Sequence, residues 1–200
     1  MQGESEKAPD GAAEPVEGLA EATAPFRPPA ADELLGEQRA ADEPVRGQPP
    51  PIVAIGASAG GLEAIEQFFS SITAPSRFAF IIIQHLSPDF KSLMVELLAR
   101  RTQLSVAAVE DGMAPVANAI HLCPPGKTMT IEAGLLRLAE CRERDAMHHL
   151  IDEFFVSLAT DRGSAATGVV LSGSGRDGSR GARAISRAGG RVLVQLPVTA

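Results

Sequence analysis

The sequence predicts an α/β fold: a three-layer α/β/α sandwich with a mainly parallel, doubly wound sheet and a small antiparallel hairpin. Apolar runs such as 52–55 (IVAI) and 78–83 (FAFIII) lack the alternation of a half-exposed strand, which indicates strands that are covered on both faces. Each run is followed by apolar residues at helical spacing, and strands that alternate with helices favour parallel pairing. Glycine-rich turns join strand to helix at 56–61 and 172–178.

The other elements follow from the same periodicities and from turn signals. Further strands are predicted at 106–109, 120–123, 129–131, 135–138, 167–171 and 191–195. Helices are predicted at 62–72, 87–101, 150–158 and 179–188. The segments 124–126 (PPG) and 132–134 (EAG) separate three short strands, a pattern typical of an antiparallel hairpin, which we expect near one edge of the sheet.

The first 51 residues differ in composition from the rest and are predicted to be a disordered acidic leader. They hold nine of the fifteen prolines, and their eleven acidic against four basic residues account for the whole formal charge of −7. With a single aromatic residue, Phe26, this stretch cannot bury enough apolar surface to offset its ordering entropy. We therefore predict one domain of ordinary size at 52–200.

Composition also narrows the classes of function. No apolar run approaches the length of a membrane span, and the start of the chain is polar and acidic rather than a secretion signal. Residues 52–200 carry fourteen charges of each sign, and the chain has no Trp or Tyr, so nothing points to nucleic-acid binding. Cys123 and Cys141 lack metal or redox spacing and are predicted to be reduced, buried thiols, and His121 is predicted to pack rather than react. These features predict a cytoplasmic protein without a cofactor.

Ser58 lies in the first glycine-rich turn, GASAGG at 56–61, directly after a core strand. The following helix aims its positive end at this serine, which suits a nucleophile. The same letters also fit a phosphate or dinucleotide loop, and they fit a plain tight turn. Two absences weigh against a dinucleotide. The next strand ends in Ile83-Gln84-His85 without the carboxylate that a ribose needs, and the tyrosine of a short-chain dehydrogenase is missing.

Two more polar residues, His85 and Asp177, follow core strands at the predicted carboxyl edge of the sheet. Taken singly, His85 fits a turn or cap residue, and Asp177 fits the N-cap of the helix at 179–188. Together with Ser58 they supply a nucleophile, a base and an orienting acid. Their order along the chain differs from that of the α/β-hydrolases, so the fold is not simply that one.

At these residues the sequence resembles the catalytic domain of the chemotaxis protein-glutamate methylesterase family, CheB. The resemblance covers residues 52–200 and rests on five segments: IGASAGG at 55–61, QH at 84–85, PPGK at 124–127, ID-FF-SLA within 151–159 and LSGSGRDG at 171–178. It implies a parallel α/β/α sandwich in which Ser58 is the nucleophile, His85 the general base and Asp177 the orienting acid.

The resemblance also implies a reaction and its partners. Members of the family hydrolyse γ-glutamyl methyl esters on methylated chemoreceptor helices and deamidate certain glutamines. Backbone N–H groups near Ala59 and Ser174 are the expected oxyanion donors. The commonest family form has Thr in place of Ala59 and Met in place of Ser174, and the spellings here resemble those of hybrids in which a methyltransferase domain follows the esterase. The alternative to an enzyme is a non-catalytic sensory or docking module that kept the fold.

The predicted last strand, 191–195, is followed by too few residues for a helix that would cover it. The resemblance implies that family members continue with a Met-Pro segment and a closing helix. We therefore expect an extension of about 30 to 40 residues, enough for one helix and one strand, to raise stability and activity. Urea unfolding and ester hydrolysis of the two chains test this expectation, and equal midpoints with equal rates would contradict it.

Overall fold

The computed structural model of the chain describes residues 48–57, 61–84, 93–141, 149–171 and 176–196. The strands are β1 Ile52–Ala57, β2 Ala79–Gln84, β3 Ser105–Ala108, β4 Ala119–Leu122, β5 Lys127–Glu132, β6 Leu135–Glu140, β7 Thr167–Val170 and β8 Arg191–Val194. The helices are α1 Gly61–Ser70, α2 Met94–Ala99, α3 Leu150–Arg162 and α4 Ser179–Arg187, and a short 3-10 turn, Gly163–Ala165, follows α3.

Six strands form one parallel sheet in the order β3-β4-β2-β1-β7-β8, and β5 with β6 forms a separate antiparallel hairpin. The two faces of the sheet carry separate apolar cores. Along β1, Ile52 and Ala54 enter one core, Val53 and Ile55 enter the other, and all four are buried. Side chains of α3 and α4 complete the first core, and those of α1 and α2 complete the second. The predicted fold class is confirmed, and burial on both faces explains the unbroken apolar runs.

The described elements agree with the predicted ones apart from shifts at their ends. β1 extends through Gly56 and Ala57, which the sequence assigned to the turn, because both residues pair with neighbouring strands. β3 begins and ends one residue earlier than predicted. The predicted start of the second helix, at 87–92, lies outside the described residues.

The β5–β6 hairpin packs on α3, and its predicted place near one edge of the sheet stays a prediction. The N–H of Ile131 donates to Ser157 Oγ at 3.0 Å, and the N–H of Gly134 donates to Asp161 Oδ1 at 3.0 Å. Ile131 also belongs to the core that α3 shares with the sheet. Turn chemistry specifies that two strands pair, but it does not specify the surface on which the pair packs.

β8 forms one edge of the sheet and keeps much of its apolar surface in solvent. Leu193 is 57% exposed and Val194 is 66% exposed. Val53, Val169 and Leu193 line part of an apolar groove of about 380 Å³ on the face that α1 covers. The helix that is expected to cover this strand in an extended chain stays a prediction. Among the described helices, none has the length and hydropathy that crossing a membrane requires.

His121, in β4, is 2% exposed and hydrogen-bonded through both ring nitrogens, which confirms that it packs. Its Nε2 accepts the N–H of Val116 at 3.3 Å, so Nδ1 carries the proton and donates to the Phe80 carbonyl oxygen at 3.2 Å. Burial lowers the pKa of His121 from its ordinary 6.5, and the bond to Phe80 opposes that shift only in part. The neutral ring is therefore the form that fits the fold.

We predict that stability falls as the pH drops below about 6.5, because the unfolded chain then binds a proton that folded His121 does not. The contribution of His121 to the free energy of unfolding is complete above the pKa of the unfolded chain. As the pH falls, it shrinks by at most about 1.4 kcal/mol per pH unit until the lower pKa of folded His121 is reached. Urea midpoints of the wild type and of His121→Gln at about pH 7.5 and about pH 5.5 measure the effect. The variant keeps the other titrating groups, so parallel pH profiles would contradict the prediction.

Candidate active site

The carboxyl ends of β1, β2 and β7 lie side by side, with β1 in the middle. Ala57 pairs with Gln84 at the end of β2, and Gly56 pairs with Val170 at the end of β7. Ligands of open α/β sheets bind outside the carboxyl ends of the strands. The candidate site is therefore the edge at which these three strands stop.

Of the three predicted site residues, the structure describes one. Ser58 and His85 lie outside the described residues, as do the expected oxyanion residues Ala59 and Ser174. Their positions in the chain still relate them to the candidate site, because Ser58 directly follows the last residue of β1 and His85 directly follows the last residue of β2. Asp177 is described, in the segment that leads from β7 into α4.

Both oxygens of the Asp177 carboxylate accept backbone hydrogen bonds. Oδ2 accepts the N–H of Ile151 at 2.9 Å, and Oδ1 accepts the N–H groups of Asp152 and Gly178, each at 2.8 Å. Ile151 and Asp152 belong to the first turn of α3, so the carboxylate lies at the positive end of that helix. Three backbone donors fix the plane of a group that can accept about four hydrogen bonds.

The interpretation of Asp177 as a plain cap of its own helix is wrong about which helix it caps. α4 follows Gly178, which has a φ of 90° and makes no side-chain cap. α3 follows His149, which makes no side-chain cap either, and Asp177 supplies that missing bond to Ile151 from 26 residues away. A cap this distant along the chain leaves no local pattern in the sequence.

Two glycines allow the start of α3 to approach the end of β1. A Cβ on Gly56 would lie 2.4 Å from Ile151 Cγ2, and a Cβ on Gly178 would lie 3.0 Å from the same atom. Gly56 therefore provides room for a helix rather than a turn, which corrects the role that the sequence suggested. The contact brings Asp177 to the edge where β1 ends.

Asp152 is a buried charged residue to which the sequence assigned no role. It is 5% exposed, and its Oδ1 accepts the N–H of Gly181 in α4 at 2.7 Å. Arg180 Nε lies 3.9 Å from Oδ2. An acid in the first turn of a helix is common on exposed surfaces, so the sequence signal was ambiguous. Its apolar neighbours in the run IDEFF were the only hint of burial.

His149, Asp152 and Asp177 place ligand-type atoms within 4.8 Å of one another. Both carboxylates bind backbone N–H groups at the starts of two helices, an environment that favours negative charge over a cation. His149 is exposed. We therefore treat the cluster as the support of Asp177 and assign no metal to it.

Cys123 is buried whereas Cys141 is only partly buried, so the prediction of two buried thiols is wrong for Cys141. Burial, with a smaller effect of Cys141, raises the pKa of Cys123 to about 12. A thiol with such a pKa stays protonated near neutral pH and is a poor nucleophile. Cys123 therefore does not compete with Ser58 as a candidate nucleophile.

We expect Gly181→Ala to lower the free energy of unfolding by about 1–3 kcal/mol, although alanine is the better helix former. A Cβ at this position would lie 2.4 Å from Phe155 Cβ and 3.1 Å from the Asp152 carbonyl oxygen, so α4 would have to move away from α3. Urea unfolding measures the loss, with Ser186→Ala on the exposed side of α4 as the control. An unchanged or higher urea midpoint for Gly181→Ala would contradict the prediction, because it would show that α4 moves away from α3 at little cost in free energy.

The family model described as CheB methylesterase matches residues 53–200 of this chain. The match covers well over half of the sequence. The chain therefore belongs to the CheB methylesterase family.

Individual relatives and a solved structure agree with this assignment. The chain is 35% identical over 155 residues to protein-glutamate methylesterase/protein-glutamine glutaminase 1 of Myxococcus xanthus, a match of 76% of this chain and 45% of that protein. It is 46% identical over 104 residues to an uncharacterized 104.1 kDa protein in the hypE 3' region of Rhodobacter capsulatus, a match of 52% of this chain and 11% of that protein. The chain thus spans less than half the length of these relatives.

The fold has a counterpart in the crystal structure of the Thermotoga maritima CheB methylesterase catalytic domain. The TM-score is 0.62 at 23% sequence identity, and the match covers 72% of this chain and 79% of that one. The architecture described above is therefore that of a CheB catalytic domain.

Proposed function

We propose that this chain contains a protein-glutamate methylesterase domain that hydrolyses glutamate γ-methyl esters on methylated chemoreceptor helices, with Ser58, His85 and Asp177 as its catalytic residues. The observation that carries the proposal is the Asp177 carboxylate, fixed by the start of α3 beside the end of β1. Ser58 and His85 directly follow β1 and its neighbour β2. The activity in the name of the Myxococcus relative supports the same reaction.

In the proposed reaction, Ser58 Oγ attacks the ester carbonyl carbon while His85 takes the hydroxyl proton. His85 returns this proton to the departing methanol, and the glutamyl group stays bound to Ser58 as an ester. A water molecule then gives a proton to His85 and attacks the carbonyl carbon of this ester. His85 passes the proton to Ser58 Oγ as the ester bond breaks, and the receptor's glutamate side chain leaves as a free carboxylate. A glutamine side chain follows the same course, with ammonia as the leaving group.

Asp177 orients His85 in this proposal by accepting its second ring N–H. The three backbone donors hold the carboxylate in one plane, so the imidazole is presented to Ser58 in a fixed direction. Backbone N–H groups near Ala59 and Ser174 are the proposed oxyanion donors, each contributing about 3 kcal/mol in the transition state.

We also propose that the domain at 52–200 belongs to a longer cytoplasmic regulator, with residues 1–51 as an acidic leader. The family match begins at residue 53, which supports this boundary. The Rhodobacter match occupies 11% of a 104.1 kDa protein, so a related segment occurs there within a much larger chain. The proposal includes a methyltransferase domain that follows this one in the full protein.

Methanol release from receptor membranes that carry labelled methyl esters tests the proposed function. Labelled methanol should appear in proportion to the amount of protein, and receptors without the methylated glutamates serve as the control substrate. Ammonia release from receptors with glutamine at the same positions tests the deamidase reaction. Binding to methylated receptors without methanol release would instead support the docking module.

A further inference from the structure

The two helices that meet at the candidate site are each capped by a carboxylate from the other's segment. Asp177, which precedes α4, accepts the N–H groups of Ile151 and Asp152 in the first turn of α3. Asp152, in that same turn, accepts the N–H of Gly181 in the first turn of α4 at 2.7 Å. The capping is reciprocal, so neither helix start can move without disturbing a bond to the other.

The Asp152 carboxylate depends on this arrangement. At 5% exposure it has lost most of its hydration, and a buried carboxylate needs hydrogen bonds in compensation. The bond from Gly181 is short, whereas Arg180 Nε lies 3.9 Å away on a side chain that is 66% exposed. An ion pair of that length, whose arginine is largely exposed to solvent, contributes little. The bond to Gly181 is therefore the stronger of these two contacts.

The bond between the Gly181 N–H and the Asp152 carboxylate requires α3 and α4 to lie in close contact. A Cβ on Gly181 would lie 2.4 Å from Phe155 Cβ and 3.2 Å from Asp152 Cα, so α3 and α4 touch backbone to backbone at this point. Asp177 and Gly178 lie on the short segment that leads into α4. The position of Asp177 is thus set at two points, by its own bonds to α3 and by the anchoring of α4 through Asp152.

We propose that Asp152 is a positioning residue for the Asp177 carboxylate, a proposal that rests on the function proposed above. Loss of the bond to Gly181 releases the start of α4 and with it the segment that carries Asp177. A displacement of about 1 Å at a catalytic group can cost about 10²-fold in rate. The effect reaches the reaction through Asp177, because Asp152 is committed to the backbone of α4.

Three variants distinguish positioning from a purely structural role. Asp152→Ala removes the acceptor for the Gly181 N–H, and Asp152→Asn keeps an oxygen acceptor of similar shape. Leu158→Val is the matched control, because Leu158 is a fully buried core residue farther along the same helix. The measurements are kcat and KM for methanol release well below the melting temperature, and hydrogen exchange of the Ile151 N–H, which is bound to Asp177.

For Asp152→Ala we expect kcat to fall by about 10- to 100-fold with KM within about threefold of wild type. The Ile151 N–H should exchange at least about tenfold faster, relative to N–H groups in the middle of α3. Asp152→Asn should recover most of both losses. Leu158→Val should lower the melting temperature but change neither kcat nor the relative exchange of Ile151.

The outcomes separate this proposal from the proposed function. If Asp152→Ala keeps the wild-type kcat, or loses kcat without faster exchange at Ile151, Asp152 is not a positioning residue for Asp177. Equal effects of Asp152→Ala and Leu158→Val on kcat and exchange would likewise overturn the proposal. If the wild type releases no methanol, the proposed function fails, and the exchange data still decide whether Asp152 holds Asp177 in place.

Discussion

Replacing Ser58 by alanine is expected to lower the rate of ester hydrolysis by about 10⁴-fold or more while the fold keeps its stability. In the proposed mechanism the Ser58 Oγ forms the bond to the substrate, and loss of the nucleophile from a triad has an effect of this size. The change deletes a single oxygen atom and alters none of the residues that form the two apolar cores. Methanol release measures the rate of ester hydrolysis, and urea unfolding measures the stability of the fold.

A second serine provides the control for this variant. Ser70, near the end of α1, is exposed and its hydroxyl donates to the Gln67 carbonyl oxygen at 2.7 Å. Ser70→Ala should therefore keep the full rate. Ester hydrolysis by Ser58→Ala at the wild-type rate would show that another group attacks the ester. It would contradict the assignment of Ser58 as the nucleophile.

Asp177→Asn is expected to lower kcat by about 10⁴-fold, because a neutral amide can present its NH₂ group to His85 and favour the wrong tautomer. The structure adds an expected loss of stability. With the amide oxygen in the place of Oδ1, the NH₂ group faces the N–H of Ile151, which now donates to Oδ2 at 2.9 Å. A buried donor left without an acceptor costs about 1–3 kcal/mol. Steady-state kinetics and urea midpoints measure both effects.

Asp161→Asn is the matched control at the other end of α3. Asp161 Oδ1 also accepts a backbone N–H, that of Gly134, at 3.0 Å, but it lies where the hairpin packs. We expect this control to change stability without reducing kcat. An Asp177→Asn variant with the wild-type rate and a lowered midpoint would make Asp177 a cap of α3 and nothing more.

In the proposed mechanism, the Asp177 carboxylate both caps α3 and orients His85. Asp177 stabilises the start of α3 through its bonds to two backbone N–H groups. In the proposed mechanism the same bonds fix the direction in which it receives His85. A cap of a helix and an orienting acid were alternatives at the level of the sequence. The two roles do not exclude each other, because a carboxylate can accept more than one hydrogen bond on each oxygen.

The amino-acid sequence by itself determined the fold class, the order of strands and helices, and the separate hairpin. These features follow from short-range patterns: apolar runs such as 78–83, helical spacing, and glycine-rich turns. The sequence also predicted that Ser58, His85 and Asp177 follow core strands. Of the three, Asp177 can be compared with the described structure, and the roles of all three stay predictions.

Only the tertiary structure decided that β1 lies between β2 and β7, that the hairpin packs on α3, and that Asp177 caps α3 rather than α4. It also revealed Asp152 as the partner of Gly181, a bond between residues 29 apart in the chain. The physical reason is the same in each case. These contacts join groups that are distant in sequence, so no local pattern specifies them. The contacts of Asp177 and Asp152 also depend on Gly56 and Gly181, which let α3 approach β1 and α4 more closely than a larger residue would permit.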